Sequence, residues 1–416
     1  MGTKVKRFFR RLWIETGYAR LGGAFGRFLC VIAVYTIASL LSNSFFNIFL
    51  LRVTGSSMAM MRYNLVLACV QPPAMLAAVV LVRRHSTALS LRVGLSMHAL
   101  AYLILTIDGN PSELVVYALS ALFSVGNGFY YTSYTPLLLT YTTDRSRDAA
   151  QSSMGLLSTV AQLVLPLLTG MFISSFGNLT GYRILFAIST AILLAGIGFS
   201  YRLAPVGPAP RTPHSIRLTA RNMIRNPNLV RGLFSTMLLS FMTSGSAYYV
   251  SLLVYNILKH ESAIGALNTV CGIITMLTAL AYGRVVTAKK RGVSMLAGAL
   301  VAILAIGILC LFPTRWGYTV YALIYSAASL FLNYPDTTAY FSVVQHDPLL
   351  RDYTAEVHAL RENFVTLGRA LALVPAFFLK DAVGTAGIMM LLLALCQIPA
   401  ALLVCRVVRE TPAGDD

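Results

Sequence analysis

Three ionisable side chains stand where an oily sequence should least tolerate them. The run F-L-N-Y-P-D-T-T-A-Y-F-S-V-V sets Asp336 in one apolar stretch, and H-A-L-R-E-N-F-V-T-L-G-R-A-L-A-L-V-P sets Glu362 and Arg369 in the next. A charge at bilayer depth costs about 2.5–3.5 kcal/mol on insertion scales, so it is kept there for pairing or for function. A carboxyl group can take up a coupling proton. An Arg cannot shed its charge and needs a carboxylate, carbonyls or an anionic ligand beside it. Two readings follow. Asp336 and Arg369 form a structural ion pair locking the two stretches together, or the pair is functional, Arg369 holding an anionic group of a substrate or Asp336 taking up the coupling proton. Glu362, at the start of its stretch, reads as a cytoplasmic gate residue that pairs with Arg361 or with the basic loop containing Arg284. His98 can titrate near neutrality, but it sits on a segment expected at the bundle edge and reads as a satisfied structural histidine.

The rest of the chain supplies the membrane these charges imply. Of 416 residues 57% are hydrophobic and only 12% are charged, against about a quarter charged in soluble domains. The net charge of +18 does not mark a nucleic-acid binder, because 26 of the 33 Lys and Arg fall in segments that share one side of a membrane. All six cysteines lie within apolar runs without paired spacing or a Cys/His cluster, which predicts free thiols and no metal site. No nucleotide-binding G-x-x-x-x-G-K-[ST] loop is present, and no cofactor is expected.

A spanning helix needs about 20 mainly apolar residues. On that criterion there are twelve, near 29–51, 63–82, 89–107, 112–141, 150–176, 181–201, 230–257, 263–286, 292–312, 316–345, 357–380 and 384–408. The distribution of Lys and Arg places both termini in the cytoplasm. Residues 1–28 form a basic N-terminal segment, 29–201 and 230–408 two six-helix bundles, 202–229 a basic Pro-rich cytoplasmic linker, and 409–416 a short tail. Within the linker, Ile216 to Arg225 reads as a short helix on the anionic inner leaflet, as does Arg7 to Ile14 in the N-terminal segment. An offset of 204 aligns Ser42 with Ser246, Asn64 with Asn268, Ser90 with Ser294 and Gly94 with Gly298, the trace of a parallel repeat.

Polarity recurs every third span. Span 1 carries Ser39, Asn43 and Asn47; span 4 carries Asn127, Tyr131 and Tyr134; span 7 carries Ser244, Tyr248, Ser251 and Tyr255; span 10 carries Ser329, Asn333, Asp336 and Tyr340, each set on one helical face. Spans 3, 6, 9 and 12 are nearly all apolar, as expected of helices facing lipid. Spans 2, 5, 8 and 11 fall between, with Gln71, Gln162, Asn268 and the Glu362/Arg369 pair. The polar spans should surround a wet cavity, with Tyr130, Tyr131, Tyr134 and Tyr248 offering broad apolar faces and hydroxyl handles to an amphipathic or aromatic solute. Interhelical hydrogen bonding is the competing reading of these residues, at about 0.6 kcal/mol each.

Short motifs add a resemblance. Gly283-Arg284 followed by Lys289-Lys290-Arg291 resembles a degenerate form of the Gly/basic loop of the major facilitator superfamily, whereas Val82-Arg83-Arg84-His85 in the equivalent earlier loop lacks its Gly and Asp. Pro166 and Gly170 match only part of the antiporter element. Arg361 to Arg369, R-E-N-F-V-T-L-G-R, with D-R-S-R-D after span 4, is similar to the YqgE-like transporter branch. The resemblance implies an all-α membrane protein of twelve transmembrane helices in two pseudo-symmetric six-helix bundles. It also implies a monomeric secondary transporter of the inner (plasma) membrane, proton-coupled, with export preferred over import of a small organic solute. An intramembrane lipid-modifying enzyme and a non-transporting receptor or scaffold are the rival expectations.

Overall fold

The structure, a computed structural model, describes residues 22–142, 144–176, 179–203, 216–258, 260–286, 290–348, 350, 353–378 and 386–410. Among these the elements are helices: α1 (Gly23–Thr54), α2 (Ser57–Arg84), α3 (Thr87–Ile107), α4 (Glu113–Tyr141), α5 (Asp144–Ser174), α6 (Thr180–Ser200), α7 (Ile216–Arg225), α8 (Pro227–Leu258), α9 (Glu261–Val285), α10 (Arg291–Leu311), α11 (Arg315–His346), α12 (Thr354–Phe378), α13 (Ala386–Leu395) and α14 (Gln397–Glu410). Local chemistry sets the boundaries. Gly55 ends α1 at φ 61°, its N–H bonded back to the Leu51 carbonyl, a left-handed turn that glycine enters without a Cβ penalty. Ser56, Ser86 and Thr314 cap α2, α3 and α11 by accepting from the N–H groups of Ala59, Leu89 and Gly317.

Nine helices among the described residues are long and apolar enough to cross a membrane, α13 and α14 counting together as Ala386–Glu410. The other long helices, α8, α11 and α12, have 32, 32 and 25 residues. Of these, α11 and α12 carry every charged residue singled out at depth, Asp336 in the first and Glu362 with Arg369 in the second. The predicted twelfth span is divided. Pro399 lacks a donor and its ring crowds the carbonyl of Leu395, so the helix stops and restarts around Cys396, whose N–H bonds to Leu393 instead. Pro335 is accommodated inside an unbroken α11. Ile216–Arg225 is helical as expected, whereas Arg7 to Ile14 lies outside the described residues.

Packing repeats along the chain. In the first half α3 packs on α4 and α6, α1 on α5 and α6, and α2 on α4. In the second half α10 packs on α11, α13 and α14, α8 on α12, α13 and α14, and α9 on α11. The halves meet most extensively along two seams, α2 with α12 and α5 with α9. Outward faces of α3, α6 and α10 expose Leu100, Leu103, Leu194, Leu300 and Leu304, as suits lipid. His98 departs from the expected edge position. It is 1% exposed, because α3 turns this face inward onto α4.

The aligned pair Gly94 and Gly298 marks equivalent crossings. A Cβ on Gly94 would stand 2.7 Å from the Tyr130 amide nitrogen and 2.9 Å from the Gly126 carbonyl oxygen of α4, and one on Gly298 would stand 2.7 Å from Cβ of Phe331 in α11. Gly94→Ala and Gly298→Ala should therefore each destabilise by about 1–3 kcal/mol, seen as a lower thermal midpoint of the purified protein in detergent. Gly198→Ala and Gly307→Ala, where a Cβ meets nothing within 4 Å, should leave the midpoint unchanged or raise it, since helical Gly costs about 1 kcal/mol relative to Ala.

Candidate functional site

Asp336 lies about 15 Å from the C-terminal end of α11 at 1.5 Å per residue, and it is 2% exposed. Its partners come from two other helices. Ser235 Oγ donates to Oδ1 at 2.7 Å and Thr236 Oγ1 donates to Oδ2 at 2.8 Å, both from α8, and Arg361 of α12 places Nη2 3.5 Å from Oδ2. Ser235 Oγ also lies 3.2 Å from the Ala400 carbonyl, so α14 joins the same junction. The Arg361 guanidinium is shared. Its Nη1 meets Glu362 Oε1 at 3.2 Å, and its Cζ lies 5.1 Å from the ring centroid of Tyr340, within cation–π range.

The expected partner of Asp336 was Arg369, and the structure selects Arg361 instead. Eight residues separate the two arginines, a rise of about 12 Å along α12, and only Arg361 reaches the level of Asp336. Arg369 points across the seam between the halves, its Nη1 3.5 Å from Gln71 Oε1 in α2, at the long limit of a hydrogen bond. Closer to the start of α12, buried Glu356 pairs with Arg83 of α2. The α2–α12 seam and the adjoining α11 site thus carry three cations, Arg83, Arg361 and Arg369, and three anions, Asp336, Glu356 and Glu362. Each carboxylate is paired with Arg83 or Arg361. Among the described residues, Arg369 has an amide contact and no carboxylate.

The same seam is tied by neutral contacts. Tyr248 Oη of α8 donates to the Ser57 carbonyl of α2 at 3.1 Å. On the opposite seam Thr269 Oγ1 of α9 donates to the Leu163 carbonyl at 2.8 Å. A Cβ on Gly265 would fall 2.4 Å from the Pro166 carbonyl oxygen, so α5 and α9 meet backbone to backbone. Gln162 itself is exposed on α5, its backbone carbonyl oxygen facing Gly272 of α9 on this second seam.

The remaining stripe residues separate into packed and open. Tyr35 Oη donates to Asn127 Oδ1 at 3.1 Å, and His98 Nε2 lies 3.2 Å from the same atom. Tyr130 is buried and stacked on Tyr35 at 3.6 Å between centroids. Asn43 donates to Ser39 Oγ and Asn47 accepts from Asn64, while Tyr134 reaches the Met154 sulfur. Tyr131 and Asn333 keep exposed faces, with Tyr334 exposed beside Asn333. In α11 the predicted stripe splits, Asn333 exposed and Asp336 with Tyr340 buried in the packing. The side chains of Arg284, Ser251 and Tyr255 lie outside the described residues.

Sequence reasoning named Arg361 as a partner of Glu362, and that pair is present, but it missed Arg361 as the partner of Asp336 and missed Glu356, Arg83, Ser235 and Thr236 as parts of this site. Ser235 and Thr236 have no signature at all, because hydroxyls in helices commonly bond their own preceding turn.

Residues 23–373 match the family profile of the Major Facilitator Superfamily. The chain is 25% identical over 366 residues to the Bacillus subtilis (strain 168) protein described as uncharacterized protein YqgE, covering 86% of this chain and 83% of that one. It is 30% identical over 179 residues to an uncharacterized protein in the sodM 3′ region of Geobacillus stearothermophilus, covering 43% of this chain and 82% of that one. Among solved structures it resembles the POT family transporter PepTSo, with a TM-score of 0.71 at 13% identity over 94% of this chain and 99% of that one. It also resembles a bacterial homologue of the human drug peptide transporters, with a TM-score of 0.68 at 12% identity over 93% and 98% of the two chains. At these identities the structural likeness speaks for the fold, and the profile match over most of the length makes the chain a member of the Major Facilitator Superfamily.

Proposed function

We propose that the protein is a secondary active transporter that carries a small organic solute bearing an anionic group. Residues 29–201 and 230–408 form two six-helix halves, giving twelve spans with both termini cytoplasmic, and they rock about the α2–α12 and α5–α9 seams as a monomer in the plasma membrane. The observation that carries this reading is Arg369, a cation close to mid-depth of α12 that leans on Gln71 across the seam while the arginines nearer the helix start have carboxylates. An anionic substrate group would supply the missing counter-charge. Tyr131 and Asn333 furnish exposed aromatic and amide surface for the rest of the solute. Coupling to protons, with export preferred over import, completes the proposal.

Within it Asp336 and Arg361 act as a lock holding α11, α12 and α8 together, and Arg83 with Glu356 closes the seam near the cytoplasmic ends of α2 and α12. Glu362, bonded to Arg361, belongs to the same gate.

A metabolite-wide uptake comparison, in vesicles with and without the protein at two pH values, tests the carrier reading and identifies a solute. A lipid substrate turned over without any gradient would favour the enzyme, and no flux of any solute would favour the receptor or scaffold. With that solute in hand, Arg369→Gln should weaken its binding about tenfold or more, as expected from losing a charged hydrogen bond of roughly 1.5–3 kcal/mol, and should leave the thermal midpoint near the parent value. Unchanged binding would make Arg369 a structural residue.

Asp336→Asn and Arg361→Gln should behave differently. Arg361→Gln leaves buried Asp336 without its counter-charge, a loss of about 3–5 kcal/mol for buried pairs, whereas Asp336→Asn leaves Arg361 with Glu362, so both should lower the thermal midpoint and Arg361→Gln the more. The double variant should recover part of the loss; additive losses in the melting experiment would count against the lock.

A further inference from the structure

His98 lies outside the charged seam. It stands about 16 Å into α3, and among the described residues it is the only side chain in the membrane interior of the first six helices whose ordinary titration falls near neutrality. Its two ring nitrogens have unequal neighbours. Nδ1 is 2.9 Å from the Gly94 carbonyl oxygen, which can only accept, so Nδ1 carries a hydrogen in every charge state. Nε2 is 3.2 Å from the side-chain amide of Asn127, on which the Tyr35 hydroxyl also converges at 3.1 Å.

That shared amide gives the group two complete hydrogen-bonding patterns. With the amide oxygen toward the pair, it accepts from the Tyr35 hydroxyl and from an Nε2–H, and the histidine is an imidazolium. With the amide turned by half a rotation, its two N–H groups donate to Nε2 of a neutral histidine and to the Tyr35 oxygen, which leaves the Tyr35 hydrogen free to point elsewhere. Tyr131, exposed on the face read as cavity, stands edge-on to Tyr35 at 6.5 Å between centroids. We propose that His98 is a proton-binding site whose charge state sets the donor direction of the Tyr35 hydroxyl, and through Tyr131 the hydrogen-bonding character of the substrate cavity. The assignment of that face as cavity rests on the carrier reading above. The proton comes from water, forms the Nε2–H bond and leaves by the same bond.

The surroundings are built for this ring. A Cβ on Gly126 would stand 2.3 Å from Nδ1, so only glycine admits the imidazole there. The rings of Tyr35 and Phe123 lie 5.3 and 5.8 Å away. The titratable groups around the site are phenols: Tyr35 from α1, Tyr130 and Tyr131 from α4 against it, and, beyond Phe123 and Phe46, Tyr102 on α3 itself and Tyr63 from α2. Phe186 and Ser189 occupy the neighbouring face of α6, stacked on Tyr102 and bonded to Ser42. The charged residues of this neighbourhood are held at the two ends of α3, Arg92 bonded to Ser200 and Arg183 of α6 bonded to the carbonyls of Thr106 and Ile107. The nearest polar partner able to answer a change at Nε2 is therefore the Asn127–Tyr35 pair.

The test needs no transported solute, so it stands or falls separately from flux assays. In lipid vesicles containing the 15N-histidine-labelled full chain, the His98 signals are assigned by their loss in His98→Gln, and the Tyr35 C–O stretching band by its loss in Tyr35→Phe. Between pH 9 and pH 4.5, Nδ1 should remain protonated while Nε2 gains a proton, and the Tyr35 band should shift over the same pH interval and stay still in His98→Gln. In Asn127→Leu, which removes the shared amide, Nε2 should still gain its proton while the Tyr35 band no longer follows. A Nε2 that never protonates, a neutral ring with its hydrogen on Nε2, or a Tyr35 band indifferent to His98 or still moving in Asn127→Leu would overturn the proposal.

Discussion

A charge within a bilayer has no water to screen it, so each one must find its counter-charge in protein or ligand. That constraint organises the second half of this molecule. Asp336 draws α8, α11 and α12 to one point through Ser235, Thr236 and Arg361, and Glu356 draws α12 to Arg83 of α2. The pairs sit where the helices must hold together, and Arg369, which among the described residues has no carboxylate, lies on the seam where two halves of a carrier would separate. Charge satisfaction and proposed function thus share one row of residues along α12.

The neutral contacts follow a second constraint, close backbone approach. Without a hydrophobic drive between helices in lipid, small residues let them pack. Gly94 against α4, Gly298 against α11 and Gly265 against α5 each stand where a Cβ would fall inside contact distance. The first two are the aligned glycines of the internal repeat. Their equivalence in space, at the α3–α4 and α10–α11 crossings, gives physical content to a repeat that few identities support.

Much of the architecture was legible because its signals are local. Length and apolarity mark spans, while the polar stripes of every third span divide in the structure into buried residues such as Tyr130 and exposed ones such as Tyr131. Asp336 was legible as costly. Its partner was not, because Arg361 and Arg369 lie on one helix about two turns apart and composition cannot say which turn faces α11. His98 was misplaced for a related reason: its helix is apolar overall, yet one face packs on Gly126, and a single inward residue leaves no mark on average hydropathy. The division at Cys396 could have been read from Pro399.

The central claim is that the α2–α12 seam opens and closes while the pairs inside the second half persist. Spin labels placed at positions 84 and 353, at the C-terminal end of α2 and the start of α12, report that separation by pulsed electron–electron distance measurement in lipid vesicles, with and without a pool of small anionic metabolites. The account predicts two distance populations whose ratio changes with the pool, and no such change for labels placed on α8 and α11 within one half. A single distance between positions 84 and 353, the same under both conditions, would contradict it.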